Sequence, residues 1–260
     1  MIIVYCNGRP ATAEDLTGLA LRNDGHFTTF QLRGRAVRGF DLHLQRLEDA
    51  SRALYGLALE AECVREALRA VVVETGTQDA TVRITVAPRG ADAASPDVFV
   101  SLAPPAEPDA APLRLQTFVF QRDTPSIKHV GTFPLFQHQR LARRAGADDA
   151  LFVDAAGRMI EGSVWNLGLW DGAALTWPQA DALRGTQERL LQAGLAAIGV
   201  AQTTRPVAVA ELGPDIAAFA CNARGQQAIA SIDGQVLAVD AGLMPLLARA
   251  LATQPLVTVG

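Results

Sequence analysis

Of the 23 basic side chains in this 260-residue chain, one is a lysine, Lys128, and the rest are arginines. Arginine can replace lysine at most surface positions, but a guanidinium stays protonated and cannot attack a carbonyl to form an imine. A position that keeps a primary amine therefore has chemistry as one explanation and the chain's bias toward arginine and alanine as the other. Lys128 lies in SIKHVG (126–131), after Pro125 and before Pro134, at a strand-to-helix junction. Rigid elements there can aim the amine into a cleft, although an exposed lysine would fit the same place.

Three further constellations carry residue types that could bind an anion or do chemistry. His43 and Arg46 stand three apart in HLQRL (43–47) and share one helix face, where the arginine could fork onto a phosphate or simply meet solvent. Glu161 lies in RMIEGSVW (158–165) between apolar residues and Gly162, at the end of one strand and the bend into the next. That setting is unusual for a plain surface carboxylate, though a turn carboxylate fits too. In ALRGTQERLL (182–191), Gly185 opens a helix whose first amides and positive dipole end could receive an anion, or merely begin a helix. Asn222 and Ala223, after the strand AAFAC, could supply a second loop near the same anion.

The elements that must position these residues fall into two segments. Four prolines lie within residues 104–112, a stretch that reads as an extended linker and leaves segments of about 105 and 148 residues. The expected domains are 1–105, a linker at 106–112, and 113–260, the last carrying Lys128. In the first, residues 1–6 read as a strand, and 27–32 with 36–38 as a hairpin about Gly34. Helices follow at 42–55 and 62–74, then strands at 81–87 and 97–102. In the second, strands are expected at 114–120, 150–154 and 166–170, the last two around the turn at Ala156–Gly157. A helix runs from Pro134 to near Gly146 and another spans 185–198. Strands near 203–207, 217–221 and 228–232 and an amphipathic helix at 239–251 complete the chain. Grouped strands with helices among them give an α/β (α+β) class.

Composition narrows the function. Hydrophobic content of 49% with 19% charge describes an ordinary globular protein. A net charge of −4 argues against nucleic acid, whose binders carry basic stripes. No apolar run reaches the roughly 20 residues of a membrane span, and MIIVYC reads as a strand rather than a secretion signal. Three dispersed cysteines and four scattered histidines, with neither HExxH nor CxxC, predict no metal site and a reducing, cytoplasmic setting.

In order along the chain, these pieces resemble the class IV aminotransferases, the fold-type IV enzymes that use pyridoxal 5′-phosphate (PLP). The likeness is carried by DGHFTTFQLRGRAVRGFDLHLQRLEDASRALYG (24–56), IKHVGTFPLFQHQRLARRAGADDALFVDAAGRMIEGSVWNLGLWDG (127–172) and LRGTQERLL (183–191). The 33-residue step from Lys128 to Glu161 is typical of the family. The resemblance implies that Lys128 forms the Schiff base with the cofactor and moves the substrate proton. It implies that Glu161 pairs with the pyridine nitrogen and that Arg46, Gly185, Thr186, Gln187, Asn222 and Ala223 hold the phosphate. Gln187, Glu188 and Ala223 depart from the threonine, arginine and threonine usual in the family, so Asn222 or Gln187 would have to make good a lost hydroxyl.

Transfer of an amino group between an amino acid or amine and a 2-oxo acid is the expected reaction. FTT at Phe27–Thr29 and CNA at Cys221–Ala223 look more like aminodeoxychorismate lyase, which releases pyruvate and 4-aminobenzoate, whereas VGTFPLFQHQ after Lys128 does not. A catalytically silent PLP-binding scaffold is the alternative outside enzymes. Arg38, after the hairpin, is a candidate for a substrate carboxylate, and Thr28 for the same pocket. Relatives build their sites between two domains and near a dimer interface, so the resemblance implies a homodimer.

Overall fold

The computed structural model of the chain describes residues 2–89 and 96–259. It divides into two compact units, residues 1–106 with 127–131 and 255–260, and residues 107–126 with 132–254. Met1, in the expected first strand, lies outside the described residues. The boundary is not a single cut, because Ile127–Gly131, the segment carrying Lys128, belongs to the first unit rather than with the span 113–260 around it. Backbone pairing is the reason. Phe27 donates its amide to the Lys128 carbonyl (2.8 Å) and Val130 to that of Gly25 (2.9 Å), with a bridge between His26 and His129.

The first unit opens with β1 (Ile3–Cys6), β2 (Arg9–Pro10) and α1 (Ala13–Arg22), a helix the hydrophobic pattern does not reveal. None of its residues is buried, and it is set instead by a capping box between Thr12 and Asp15. Then come β3 (His26–Leu32), β4 (Ala36–Arg38), α2 (Phe40–Tyr55), α3 (Ala61–Thr75), β5 (Ala80–Pro88) and β6 (Pro96–Ala103). The antiparallel sheet runs β2-β1-β6-β5-β3. One face packs on the apolar stripes of the helices, with Leu44 and Leu47 of α2 and Val64, Leu68, Val71 and Val72 of α3 in a single core. The expected hairpin at Gly34 reduces to one bridge, Arg33 to Ala36. Beyond it β4 turns away to pair with the strand Leu256–Thr258, which the sequence reading did not contain.

The second unit contains β7 (Leu113–Val119), α4 (Phe133–Arg144), β8 (Asp149–Val153), β9 (Met159–Gly162), β10 (Asn166–Trp170) and β11 (Ala174–Pro178). It continues with α5 (Thr186–Ala197), β12 (Ala201–Arg205), β13 (Ala217–Asn222), β14 (Gly225–Ile232), β15 (Gln235–Val236) and α6 (Leu243–Ala252). The sheet order is β12-β11-β10-β13-β14-β7-β8-β9, with β15 added to β14. The turn at Ala156–Gly157 therefore joins β8 to β9, and β10 lies elsewhere, between β11 and β13. α6 starts later than the expected 239 because Asp240 is used otherwise: its carboxylate accepts from the Trp170 indole at 3.0 Å. Among the described residues, no helix is long and apolar enough to cross a membrane, and no His, Cys, Asp or Glu group could hold a metal ion.

Candidate active site

Alternation along β3 sorts the residues of the first unit. His26 and Thr28 point to the helices: His26 Nε2 lies 2.9 Å from Ser51 Oγ, and Thr28 Oγ1 lies 2.6 Å from His43 Nδ1. Thr28 is completely buried, so its hydroxyl is committed to His43 rather than turned to the opposite face. That face carries Phe27 and Thr29, opposite Thr85 and Arg83 of β5. There the Lys128 ammonium lies 5.0 Å from the centre of the Phe27 ring and the Arg83 guanidinium 3.5 Å from it. Arg83 Nε donates to Thr85 Oγ1, and among the described residues Arg83 forms no ion pair. Burial pulls its pKa below the ordinary arginine value, yet the group remains a cation.

α2 presents His43 and Arg46 on one face, as the spacing requires. Burial first, and then the charges of Arg46 and Lys128, lower the pKa of His43 to about 3. A neutral imidazole thus stands between Thr28 and two cations. Arg46, Lys128, His43 and Thr28 are brought together within one unit. Arg38 lies on β4, in register with Leu256.

Glu161 is buried on β9, and the Arg122 guanidinium, equally buried, lies 3.7 Å from its Oε1. Arg122 also donates to the Pro125 carbonyl at 3.1 Å. The bend after Glu161 is held by the buried carboxylate of Asp149, which accepts from Ser163 Oγ (2.6 Å), Trp165 Nε1 (3.0 Å) and Gln139 Nε2 (3.1 Å). Gly162 is required in that bend, since a Cβ there would stand 2.0 Å from the Trp165 ring.

Gly185 is the N-cap of α5 and has no side chain to close the helix end; Thr186 behind it is buried. Asn166 ties this start to the sheet. Its Nδ2 donates to the Leu183 carbonyl at 2.7 Å, and its Oδ1 would lie 2.1 Å from a Cβ at Gly185. Asn166 is also in register with Cys221, so the start of α5 and the end of β13 are joined through one side chain. Asn222 donates weakly to the Val164 carbonyl (3.4 Å) and borders a cavity of about 470 Å³ shared with Asp149, Trp165 and Arg224. Ala223 occupies the turn that follows.

The amino-transferase class IV family matches residues 25–232, most of the chain and every candidate site residue. The chain belongs to this family. Class IV aminotransferases are PLP-dependent aminotransferases and related lyases, so the protein is an enzyme of that group. Its fold is theirs. A branched-chain aminotransferase from Thermoproteus uzoniensis superposes with a TM-score of 0.83 at 19% identity, over 95% of this chain and 93% of that one. A hypothetical aminotransferase from Mycobacterium tuberculosis, in a PLP-bound form, gives 0.82 at 21% identity over 97% and 98%. A 4-amino-4-deoxychorismate lyase from Pseudomonas aeruginosa gives 0.78 at 28% identity over 96% and 98%. No curated protein matches the chain.

Three residues of the site escaped the sequence reading. Arg83 leaves a signal, a charge inside the apolar alternation TVRITV. Arg122 and Asn166 leave none, because only the fold brings them to Glu161 and Gly185.

Proposed function

We propose that the chain is a PLP-dependent aminotransferase in which Lys128 Nζ holds the cofactor covalently and an amino acid or amine exchanges its amino group with a 2-oxo acid. The observation that carries this reading is the pairing of the Lys128 amine and the Arg83 guanidinium over one ring, Phe27. One group can bind a carbonyl; the other can take a carboxylate.

The residues present fit PLP. Gly185 leaves the start of α5 without a side-chain cap, so the first amides of the helix are suited to a phosphate, and Arg46 offers a guanidinium. Thr186, Gln187, Asn222 and Ala223 complete the proposed phosphate set. When bound, PLP supplies an electron-withdrawing ring that accepts the electron pair left at Cα. Glu161 would hold a proton on the ring nitrogen, and Arg122 keeps that buried carboxylate compensated. Lys128 Nζ would carry the proton to and from the substrate Cα. His43, neutral through burial and its cationic neighbours, adds no charge to compete with Arg46 or Lys128. Arg83 would orient the substrate carboxylate; Thr28 would then act through His43, and Arg38 is a second candidate for the carboxylate. A homodimer in a reducing, cytoplasmic setting is expected, and Cys6, Cys63 and Cys221 form no disulfide.

The test is direct because the chain has one lysine. Borohydride treatment of the yellow holoenzyme should fix the cofactor on the peptide containing Lys128, and Lys128→Ala should abolish fixation. A colourless protein that takes up no added PLP would overturn the reading.

The lyase is the second reading, favoured by FTT, CNA and the 28% identity to the Pseudomonas enzyme. Release of pyruvate and 4-aminobenzoate from aminodeoxychorismate, with no half-transamination of L- or D-amino acids, would select it. A yellow protein inert in both assays would select the silent scaffold.

A further inference from the structure

We propose that Glu188 is an electrostatic counterweight to the cofactor's phosphate, a residue that loosens the hold on PLP so that the cofactor can exchange. The inference rests on the reading above that the first turn of α5 receives that phosphate.

Glu188 stands three residues after the N-cap Gly185 and is 7% exposed. The Glu188 carboxylate lies in the first turn of α5, whose N-cap Gly185 has no side chain to close it, and the amides of that turn are among the few helix-start donors an incoming anion could use. The carboxylate is fixed in place: Arg184 Nε lies 3.0 Å from its Oε1, Gln192 Nε2 donates to the same oxygen (3.3 Å), and Arg184 Nη2 donates to Gln192 Oε1 (2.8 Å). Arg184 is more than half exposed, so water screens its compensation while the carboxylate stays inside.

A negative side chain in the first turn of a helix ordinarily stabilises that helix. Most such residues sit in water, however, where a charge has little reach. Glu188 is buried, and burial raises its carboxyl above the ordinary range, with the Arg184 charge opposing the rise. Its field extends to Cys221 at the end of β13, where it adds to burial in raising the thiol. The same field covers the amides of Thr186 and Gln187, within one helical turn. A phosphate held by those amides would meet a like charge at short range.

The experiment compares PLP with pyridoxal, which carries the aldehyde but no phosphate. Dissociation constants for both are measured from the chromophore in the full-length parent, Glu188→Gln and Arg184→Ala, with thermal unfolding recorded for each. Glu188→Gln should bind PLP roughly tenfold more tightly or better, the scale a unit charge about one turn away exerts in a half-buried site. Its pyridoxal affinity should stay within about twofold of the parent's on the same reasoning. Arg184→Ala should weaken PLP alone. Unchanged or weaker PLP binding in folded Glu188→Gln, or equal shifts for both aldehydes, would overturn the proposal. If Glu188→Gln fails to fold, Arg184→Ala decides: equal or absent shifts there overturn it as well. A parent that binds neither aldehyde at Lys128 defeats the underlying reading, and this one with it.

Discussion

Lys128 and Arg83 lie over a single aromatic ring, and the roles proposed for them can be separated by substitution. Arg83→Gln should raise KM for a carboxylate substrate about 30- to 100-fold, the loss expected when a charged hydrogen-bond partner is removed. Borohydride fixation at Lys128 should persist, because the amine and its backbone pairing are untouched. An equal loss of fixation and of substrate binding would mean that Arg83 supports the strand rather than the substrate. The pair Thr28–His43 is different in kind. Its hydrogen bond lies on the core side of β3, so these residues stiffen the wall behind Arg46 and Lys128.

At the scale of elements, close approach rather than propensity decides one contact. α5 meets α6 at Gly194, where a Cβ would lie 2.1 Å from the Ala250 carbonyl oxygen. Alanine is the better helix former by up to about 1 kcal/mol, so propensity alone would have Gly194→Ala stabilise the protein. The contact reverses that sign. We expect a loss of about 2 kcal/mol, as helix backbones are forced apart against the buried cluster of Trp177, Leu191, Leu195 and Leu247. Urea unfolding followed by tryptophan fluorescence checks it, and a higher midpoint would refute the packing argument. The start of α5 is the same lesson in its polar form, since Asn166 fills the space beside Gly185 that a side chain would need.

For the molecule as a whole, the first unit holds two neutral buried imidazoles that an unfolded chain would protonate. Burial lowers His26 to about 4, and burial with the nearby cations lowers His43 to about 3. Both folded values lie below the unfolded one of about 6.5, so the unfolded state binds more protons in acid. Stability from these groups is fully present above pH ~6.5 and is lost as pH falls toward the folded values. The loss for His26 alone should approach roughly 3 kcal/mol. Hydrogen exchange of first-unit amides should show it, and His26→Gln should flatten the slope; an acid-independent first unit would contradict the assignment. The family was legible in the sequence, and its likeness singled out Lys128, Arg46, Glu161 and Gly185 as candidates, each of which residue type and spacing alone left open to a plainer reading. Helices with apolar stripes, α2 and α3, were legible from that local pattern, whereas α1, with no buried face, was not. Partnership was decided only by the tertiary structure. Strand alternation turned Thr28 inward and Arg83 toward Lys128, backbone pairing gave Ile127–Gly131 to the first unit, and folding brought Arg122 to Glu161 across 39 residues of chain. Such contacts depend on register and through-space distance, which residue types and spacing do not encode.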